Sequence, residues 1–294
     1  MGPYLQRFYD VALLARPFNA LQPMILFIFG VIVSGGDLQS VQMYVGLVAI
    51  LLLHSAVTIW NDLSDQVVDK HNNVKTMLTT GYVSERTLMY VVLGLTVTGL
   101  VLVALFLPWM SVLLAILTII IGWQYSARPF KASHRPIGSM VFLAISYGAV
   151  PLLLGASLGD TTPTVWLFAI TWSRARVSLS LLKDYKDAVG DVKVKKRTFL
   201  LRFGHRRVVA TSILCLVMGY GAVIALTTQV VPPVYWVYLI GIGVLCIALL
   251  VVERMRLWKA STYQAQHDLF RESLYIHLAV DGVLTVWLIL LFTS

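Results

Sequence analysis

Two acidic stretches stand out from an otherwise apolar sequence, NDLSDQVVD (61–69) and DYKDAVGD (184–191). Each contains three aspartates at the spacing i, i+3, i+7, namely Asp62, Asp65 and Asp69 in the first and Asp184, Asp187 and Asp191 in the second. On a helix this spacing places all three side chains on one face. Because carboxylates on one face repel each other, the pattern predicts a positively charged partner for both stretches.

The chemistry that these residue types favour is the binding of a hard cation. Neither stretch contains histidine or cysteine, and oxygen ligands alone favour an ion such as Mg²⁺. Mg²⁺ usually takes one or two carboxylates and completes its shell with water and substrate phosphate oxygens. Since lysines and arginines follow both stretches, the pattern predicts a Mg²⁺-bridged diphosphate. The alternative is that the aspartates are solvated loop residues that cap helices.

The elements that must position these residues are predicted to be membrane helices. Of 294 residues, 58% are hydrophobic and 13% are charged, whereas soluble domains carry roughly 25% charged residues. A membrane-spanning helix needs about 20 mostly apolar residues. Nine segments meet this requirement: 18–34, 41–60, 88–107, 109–125, 138–157, 164–182, 208–229, 234–252 and 275–293. We therefore expect an all-α polytopic membrane protein with nine helices around a central cavity and a cytoplasmic cap of loop helices.

The basic residues predict the orientation of these helices. Of the 23 lysines and arginines, 21 lie in the N-terminal segment and in alternate loops, at 61–87, 126–136, 183–207 and 253–274. Cytoplasmic loops carry an excess of basic residues, so this side and both acidic stretches are predicted to face the cytoplasm. This topology and contact with anionic lipid explain the net charge of +9 without a nucleic-acid partner.

Both stretches resemble the paired signatures of a known family. NDLSDQVVD resembles the NDxxDxxxD motif of the UbiA superfamily of intramembrane prenyltransferases, and KDYKDAVGD resembles its second motif in the form KDxxDxxGD. ARPFN (15–19), YSARPFK (125–131) and KRTFLLRFG (196–204) resemble three further family segments. The resemblance covers nearly the whole chain and implies a single transmembrane prenyltransferase domain over 1–294.

The resemblance also implies a role for each matching residue. The Mg²⁺ ligands would be Asn61, Asp62, Asp65, Asp69, Asp184, Asp187 and Asp191. The residues that bind the diphosphate of an isoprenyl donor would be Lys75, Arg128, Lys131 and Lys183. The residues that act in catalysis would be Asp65, Asp187, Tyr125 and Lys131, the last two lying over the diphosphate or the allylic cation. Asn19 belongs to the RPxN motif and is expected in the substrate pocket.

Two positions depart from the family pattern. Many relatives read PxRP after the first motif, where this chain reads VKTM (74–77). The expected arginine is absent, so either Lys75 replaces it or the donor binds differently. After the second motif the usual glycine of GxxT is Lys195 here, which puts the turn geometry of that loop in question but not the metal site.

Arg176 lies inside an apolar segment, where ionisable residues are functional candidates. The spacing i, i+7, i+11 places Arg176, Lys183 and Asp187 on one helical face. Arg176 either binds an acidic group of the acceptor or extends its charge to the cytoplasmic interface.

Three further polar residues lie in apolar segments. His54 stands seven residues before Asn61, about 10 Å deeper on the same face. It either packs against its neighbours or lines the prenyl pocket and acts on the acceptor proton. His277 and Asp281 are one helical turn apart, which predicts a polar contact between helices.

The predicted reaction is Mg²⁺-dependent transfer of an isoprenyl group from a prenyl diphosphate to a small acceptor. The acceptor stays open between two classes. An aromatic quinone or tocopherol precursor is the broader default that the resemblance implies, and RPFN mildly favours geranylgeranylglyceryl phosphate. One alternative keeps the fold but is a terpene cyclase or a lipid diphosphatase. Another is a membrane transporter, although transporters place ionisable residues near the midplane and these acids gather at one surface.

Overall fold

Helices make up the regular secondary structure of this computed structural model, which describes residues 17–71, 78, 81–127, 129–193 and 195–293. The described residues contain no strand. The helices are α1 (Pro17–Val33), α2 (Val41–Ser64), α3 (Gln66–His71), α4 (Glu85–Phe106), α5 (Trp109–Ser126), α6 (Pro136–Ala156), α7 (Pro163–Leu182), α8 (Asp184–Lys193), α9 (Phe199–Phe203), α10 (His205–Thr227), α11 (Trp236–Lys259) and α12 (Tyr263–Thr293). Two 3₁₀ turns lie at Ala132–His134 and Pro233–Tyr235.

Seven of the described helices are long and apolar enough to cross a membrane, and these are α2, α4, α5, α6, α10, α11 and α12. The other two predicted segments are also helical, in α1 and α7. The apolar part of α1 is short, and the apolar sequence of α7 contains two arginines, Arg174 and Arg176. The all-α membrane architecture is thus confirmed, whereas the count of nine spanning helices is not.

The helices pack around a core that mixes aliphatic and aromatic side chains. The main helix pairs are α7 with α10, α2 with α4 and α1 with α6. The rings of Phe168 and Trp172 on α7 lie 5.5 and 5.4 Å from that of Phe29 on α1. In contrast, α4 and α11 leave large apolar side chains such as Leu93 and Val237 exposed, as expected of helices that face lipid.

Two glycines allow α1 and α6 to pack with their backbones in direct contact. A Cβ atom on Gly30 would overlap the carbonyl oxygen of Leu152, and one on Gly155 would overlap that of Phe27. Membrane helices associate through such small residues because lipid supplies no hydrophobic driving force between them. This reciprocal contact fixes the position of α1 against the rest of the bundle.

A π-helical turn interrupts α6 over Ile145–Ala149. The amide of Val150 donates to the carbonyl of Ile145, five residues earlier. Pro151 follows directly, and it has no amide hydrogen and its ring conflicts with the carbonyl four residues before it. The wide turn relieves that conflict, and it places Ser146 and Tyr147 in the wall of the central cavity.

Short helices cap one end of the bundle, as the sequence predicted. α3 and α8 follow the ends of α2 and α7 and pack against each other, and α9 packs against α8 and α6. All three lie within the basic loops at 61–87 and 183–207. The two acidic stretches are therefore brought together from loops 122 residues apart in the chain.

We expect Gly155→Leu to destabilise the protein, because the added side chain must separate α1 from α6. Overpacking costs about 1–3 kcal/mol, and backbone contact leaves little room for relief. Gly241→Leu is the matched control, since a Cβ at Gly241 meets nothing within 4 Å. Thermal unfolding in detergent measures both variants. Equal unfolding temperatures for the two would contradict the close contact.

Candidate functional site

A cavity of about 350 Å³ lies between α1, α2, α5, α6, α7 and α12. Charged and amide side chains gather at one end of it, where the wall contains Asn61, Asp65, Lys183, Asp184, Asp187 and Lys196. The remaining wall mixes polar side chains with apolar ones, and the apolar ones are Val57, Ile121, Phe142, Leu143, Leu179, Leu274 and Leu278. Such a cavity suits a ligand with a charged head and an apolar tail.

The first acidic stretch is broken at Asp65. α2 ends at Ser64, Asp65 has φ −98° and ψ 7°, and α3 starts at the next residue. The Asn61 amide nitrogen donates to Asp65 Oδ2 at 3.2 Å, and its oxygen accepts from Ser126 Oγ at 2.9 Å. These bonds fix Asn61 and Asp65 in the cavity wall. Ser126 lies in the YSARPFK segment, but its contact with Asn61 was not predicted.

The break separates the three aspartates of the first stretch. Asp62 is buried and does not line the cavity, while Asp69 lies on α3. The arrangement thus differs from the single helical face that the spacing predicted, because the chain changes direction at Asp65. Burial and the nearby carboxylates of Asp62, Asp65 and Asp187 raise the pKa of Asp69 to about 6.

The second acidic stretch remains one helix. Asp184 and Asp187 line the cavity, whereas Asp191 is 1% exposed and pairs with Lys196 Nζ at 3.2 Å. Burial raises the pKa of Asp184, although Lys183 and Lys196 oppose the shift. Burial also raises the pKa of Asp191 to about 6, more than the ion pair with Lys196 lowers it.

Two lysines supply positive charge at the same end of the cavity. The Lys183 ammonium contacts the Tyr125 hydroxyl and lies 4.6 Å from the centre of its ring. Burial opposes the charge on Lys196, but the carboxylates of Asp65 and Asp191 outweigh it and raise its pKa. Lys196 was not predicted as a site residue. Its place in the KRTFLLRFG segment was the signal that could have identified it.

A separate basic cleft lies beside the cavity. Its wall contains Pro129, Phe130, Lys131, His134, Arg135, Lys195 and Arg197. Lys131 therefore lies in the cleft and not in the wall of the central cavity. Lys195 has a left-handed backbone with φ 55°, a conformation that favours glycine. The turn thus keeps the backbone that a glycine would adopt. Lys75 and Arg128 lie outside the described residues.

The deeper polar residues have different environments. His54 is buried below the charged end and packs with its ring 5.3 Å from that of Tyr147, without lining the cavity. The predicted helix contact is confirmed, since the Tyr220 hydroxyl donates to Asp281 Oδ1 at 2.6 Å and lies 3.2 Å from His277 Nε2. Asn19 and Arg176 both line the cavity.

The donor set at the charged end fits a hard cation whose shell is completed by a substrate. Among the described residues, no three histidine, cysteine, aspartate or glutamate side chains converge to form a preformed metal cage. Asn61, Asp65, Asp184 and Asp187 nevertheless offer oxygen ligands from two facing elements. Mg²⁺ typically needs only one or two such carboxylates when phosphate oxygens supply the rest.

Comparison with known proteins agrees with this arrangement. The UbiA prenyltransferase family model matches residues 23–278. The chain belongs to the UbiA prenyltransferase family. It is an integral multi-pass membrane protein, and its enzyme class is prenyltransferase.

Several UbiA relatives resemble the chain over most of its length. Digeranylgeranylglyceryl phosphate synthase of Thermococcus kodakarensis is 29% identical over 255 residues, 84% of each chain. A 4-hydroxybenzoate octaprenyltransferase of Nitrosomonas eutropha is 29% identical over 172 residues, 56% of this chain and 57% of that one. A UbiA homologue from Archaeoglobus fulgidus, solved with GPP and Mg²⁺, has a TM-score of 0.69 at 17% identity, covering 93% of this chain and 99% of that one.

We expect Lys196→Met to lower the free energy of unfolding by about 3 kcal/mol or more, because it leaves a buried carboxylate at Asp191 without its partner. The double variant Lys196→Met with Asp191→Leu should recover most of this loss. Lys186→Met is the control, since Lys186 is 54% exposed beside Asp187 and exposed pairs contribute about 0–1 kcal/mol. Thermal unfolding in detergent compares the three. If Lys196→Met is as stable as Lys186→Met, the stabilising role of the buried ion pair between Lys196 and Asp191 is contradicted.

Proposed function

We propose that the chain transfers an isoprenyl group from a prenyl diphosphate to a small acceptor, with Mg²⁺ held between the two acidic stretches. The observation that carries this proposal is that one cavity joins facing carboxylates and lysines at one end to several apolar side chains further along its wall. A diphosphate head with an isoprenyl tail matches both parts. The solved relative from Archaeoglobus fulgidus, bound to GPP and Mg²⁺, supports this assignment.

Asn61 and Asp65 would hold the metal from one side, and Asp184 and Asp187 from the other. Asp69 contributes negative charge from α3. When bound, Mg²⁺ neutralises charge on the diphosphate and so makes it a better leaving group. The mutual repulsion of these carboxylates falls when a cation lies between them.

The side chains at the charged end assist departure of the diphosphate. Lys183 and Lys196 place two ammonium groups beside it, and preorganised charge of this kind stabilises the developing negative charge. The bond between the isoprenyl carbon and the diphosphate oxygen breaks, and the electron pair leaves with the diphosphate. The ring of Tyr125 lies in the same wall, where an aromatic face stabilises an allylic cation.

The apolar walls protect that cation from water, which would otherwise capture it. A carbon or oxygen atom of the acceptor forms the new bond to the isoprenyl carbon and then loses its proton. The acceptor belongs to one of two classes, aromatic precursors of quinones or tocopherols and geranylgeranylglyceryl phosphate. Both classes are kept because one relative is named a digeranylgeranylglyceryl phosphate synthase and another a 4-hydroxybenzoate octaprenyltransferase. A terpene cyclase or diphosphatase would instead consume the donor without an acceptor.

We also propose that the charged end of the cavity faces the cytoplasm. Of the 23 lysines and arginines, 21 lie in the N-terminal segment and in alternate loops of the sequence, and two of those loops, 61–87 and 183–207, contain the acidic stretches. The positive-inside rule places such loops in the cytoplasm. The diphosphate would then remain at the aqueous interface while the isoprenyl chain extends between the membrane helices.

Asp65→Asn and Asp187→Asn are each expected to reduce prenyl transfer by at least 10²-fold, because each removes a carboxylate from one side of the metal. Asp268→Asn is the control, since its carboxylate is 61% exposed on α12 and lies outside the cavity wall. Purified variants are assayed with Mg²⁺, a prenyl diphosphate and a panel of acceptors, with products identified by mass spectrometry. Near-normal turnover by both site variants would reject the proposed mechanism.

Removal of divalent cations with EDTA should abolish transfer, and added Mg²⁺ should restore it. The physical reason is that the lysines alone do not neutralise a diphosphate that lies against several carboxylates. The assay follows both product and diphosphate. Full transfer in EDTA would exclude the metal role, and diphosphate release that needs no acceptor would favour the cyclase or diphosphatase.

A further inference from the structure

A second polar region lies deeper in the cavity, away from the charged end. Arg176 on α7 lines the cavity and is 2% exposed. It stands seven residues before Lys183, so its Cα lies about 10 Å further along the helix. Asn19 and Gln22 of α1 line the same cavity. An isoprenyl chain has no polar atom that would use these groups.

Arg176 is held in place by the carboxylate of Asp281, which accepts several hydrogen bonds. Its Nη2 donates to Asp281 Oδ2 at 2.7 Å, which rules out extension of the guanidinium to the interface as its main role. Gln22 Nε2 also donates to Asp281 Oδ2, at 2.7 Å, and the Tyr220 hydroxyl donates to Oδ1. Asp281 thus receives three donors from α1, α7 and α10.

The rest of the Arg176 guanidinium has no acceptor. Nε and Nη1 are buried without a hydrogen-bond partner among the described residues, and Asp281 is already shared by three donors. A buried donor that lacks a partner costs about 1–3 kcal/mol, and more when it is charged. Since Arg176 lines the cavity, a ligand that brings an anionic oxygen there would remove this cost.

We propose that Arg176 binds an anionic oxygen of the acceptor, so that the acceptor class is one that carries a carboxylate or a phosphate. This inference rests on the proposed prenyl transfer. The diphosphate of the donor belongs to the charged end, about 10 Å away along α7, and its isoprenyl chain is uncharged. The anionic group at Arg176 therefore comes from the second substrate. Asp281 is a positioning residue that orients the guanidinium.

The test compares acceptors that differ only in the acidic group. The pairs are 4-hydroxybenzoate with its methyl ester, and geranylgeranylglyceryl phosphate with geranylgeranylglycerol. For wild-type protein the preferred acceptor should be the acid of one pair, used at least tenfold more efficiently than its neutral partner. Arg176→Gln should raise the KM of that acid about tenfold or more, the loss expected for one charged hydrogen bond, and leave the donor KM unchanged.

Arg174→Gln is the matched control, because Arg174 lies two residues away on the same helix and is exposed. It should keep the preference for the acid. Should Arg176→Gln fold poorly, the double variant Arg176→Gln with Asp281→Asn removes both buried charges together. That double variant should also lose the preference. Asp281→Asn alone should weaken the preference for the acid, because the guanidinium keeps its charge but loses the carboxylate that orients it.

The outcomes separate this inference from the proposed function. If wild-type protein transfers a prenyl group to acids and neutral partners with equal efficiency, the inference fails and prenyl transfer stands. The same follows if Arg176→Gln and the double variant both retain the preference. If wild-type protein transfers no prenyl group to any acceptor in the panel, the proposed function fails.

Discussion

Electrostatic repulsion among carboxylates at one end of the central cavity is the constraint on which the arrangement of the site depends. Burial and the carboxylates of Asp62, Asp65 and Asp187 raise the pKa of Asp69, so its charged form is costly here. The chain offsets part of this cost with Lys183 and Lys196 at the same end. A cation bound between the carboxylates would supply the remainder. Stability and ligand binding at this end are therefore coupled through the same charges.

Much of the fold followed from the sequence because membrane helices must be long and apolar. All nine predicted segments are helical, and the short cap helices fall in the basic loops. The number of membrane-spanning helices was harder to predict, since α1 is short and the arginines of α7 reduce the hydropathy of that helix. Hydropathy measures composition along one helix. It does not report how neighbouring helices shield a charged pair such as Arg176 and Asp281.

The aspartate spacing located the charged end of the cavity but not its internal geometry. Asn61, Asp65, Asp184 and Asp187 line the wall, whereas Asp62 does not, although it is next to Asn61 on α2. The bond between Gln22 and Asp281 joins residues 259 positions apart, and no local pattern encodes such a pair. Lys196 differs from that pair, since it lies in a segment that resembles a family motif, but its contact with Asp191 depends on how the chain returns after α8.

The π turn in α6 changes the phase of that helix. Phe142 before the turn and Tyr147 within it line the cavity, while Gly155 after the turn meets α1. One extra residue in the turn rotates these two surfaces relative to each other. Substitutions in the first half of α6 would thus alter the width available to a substrate without disturbing the backbone contact that anchors α1. The first half of α6 thus determines the shape of the cavity, and its second half determines the packing of α1.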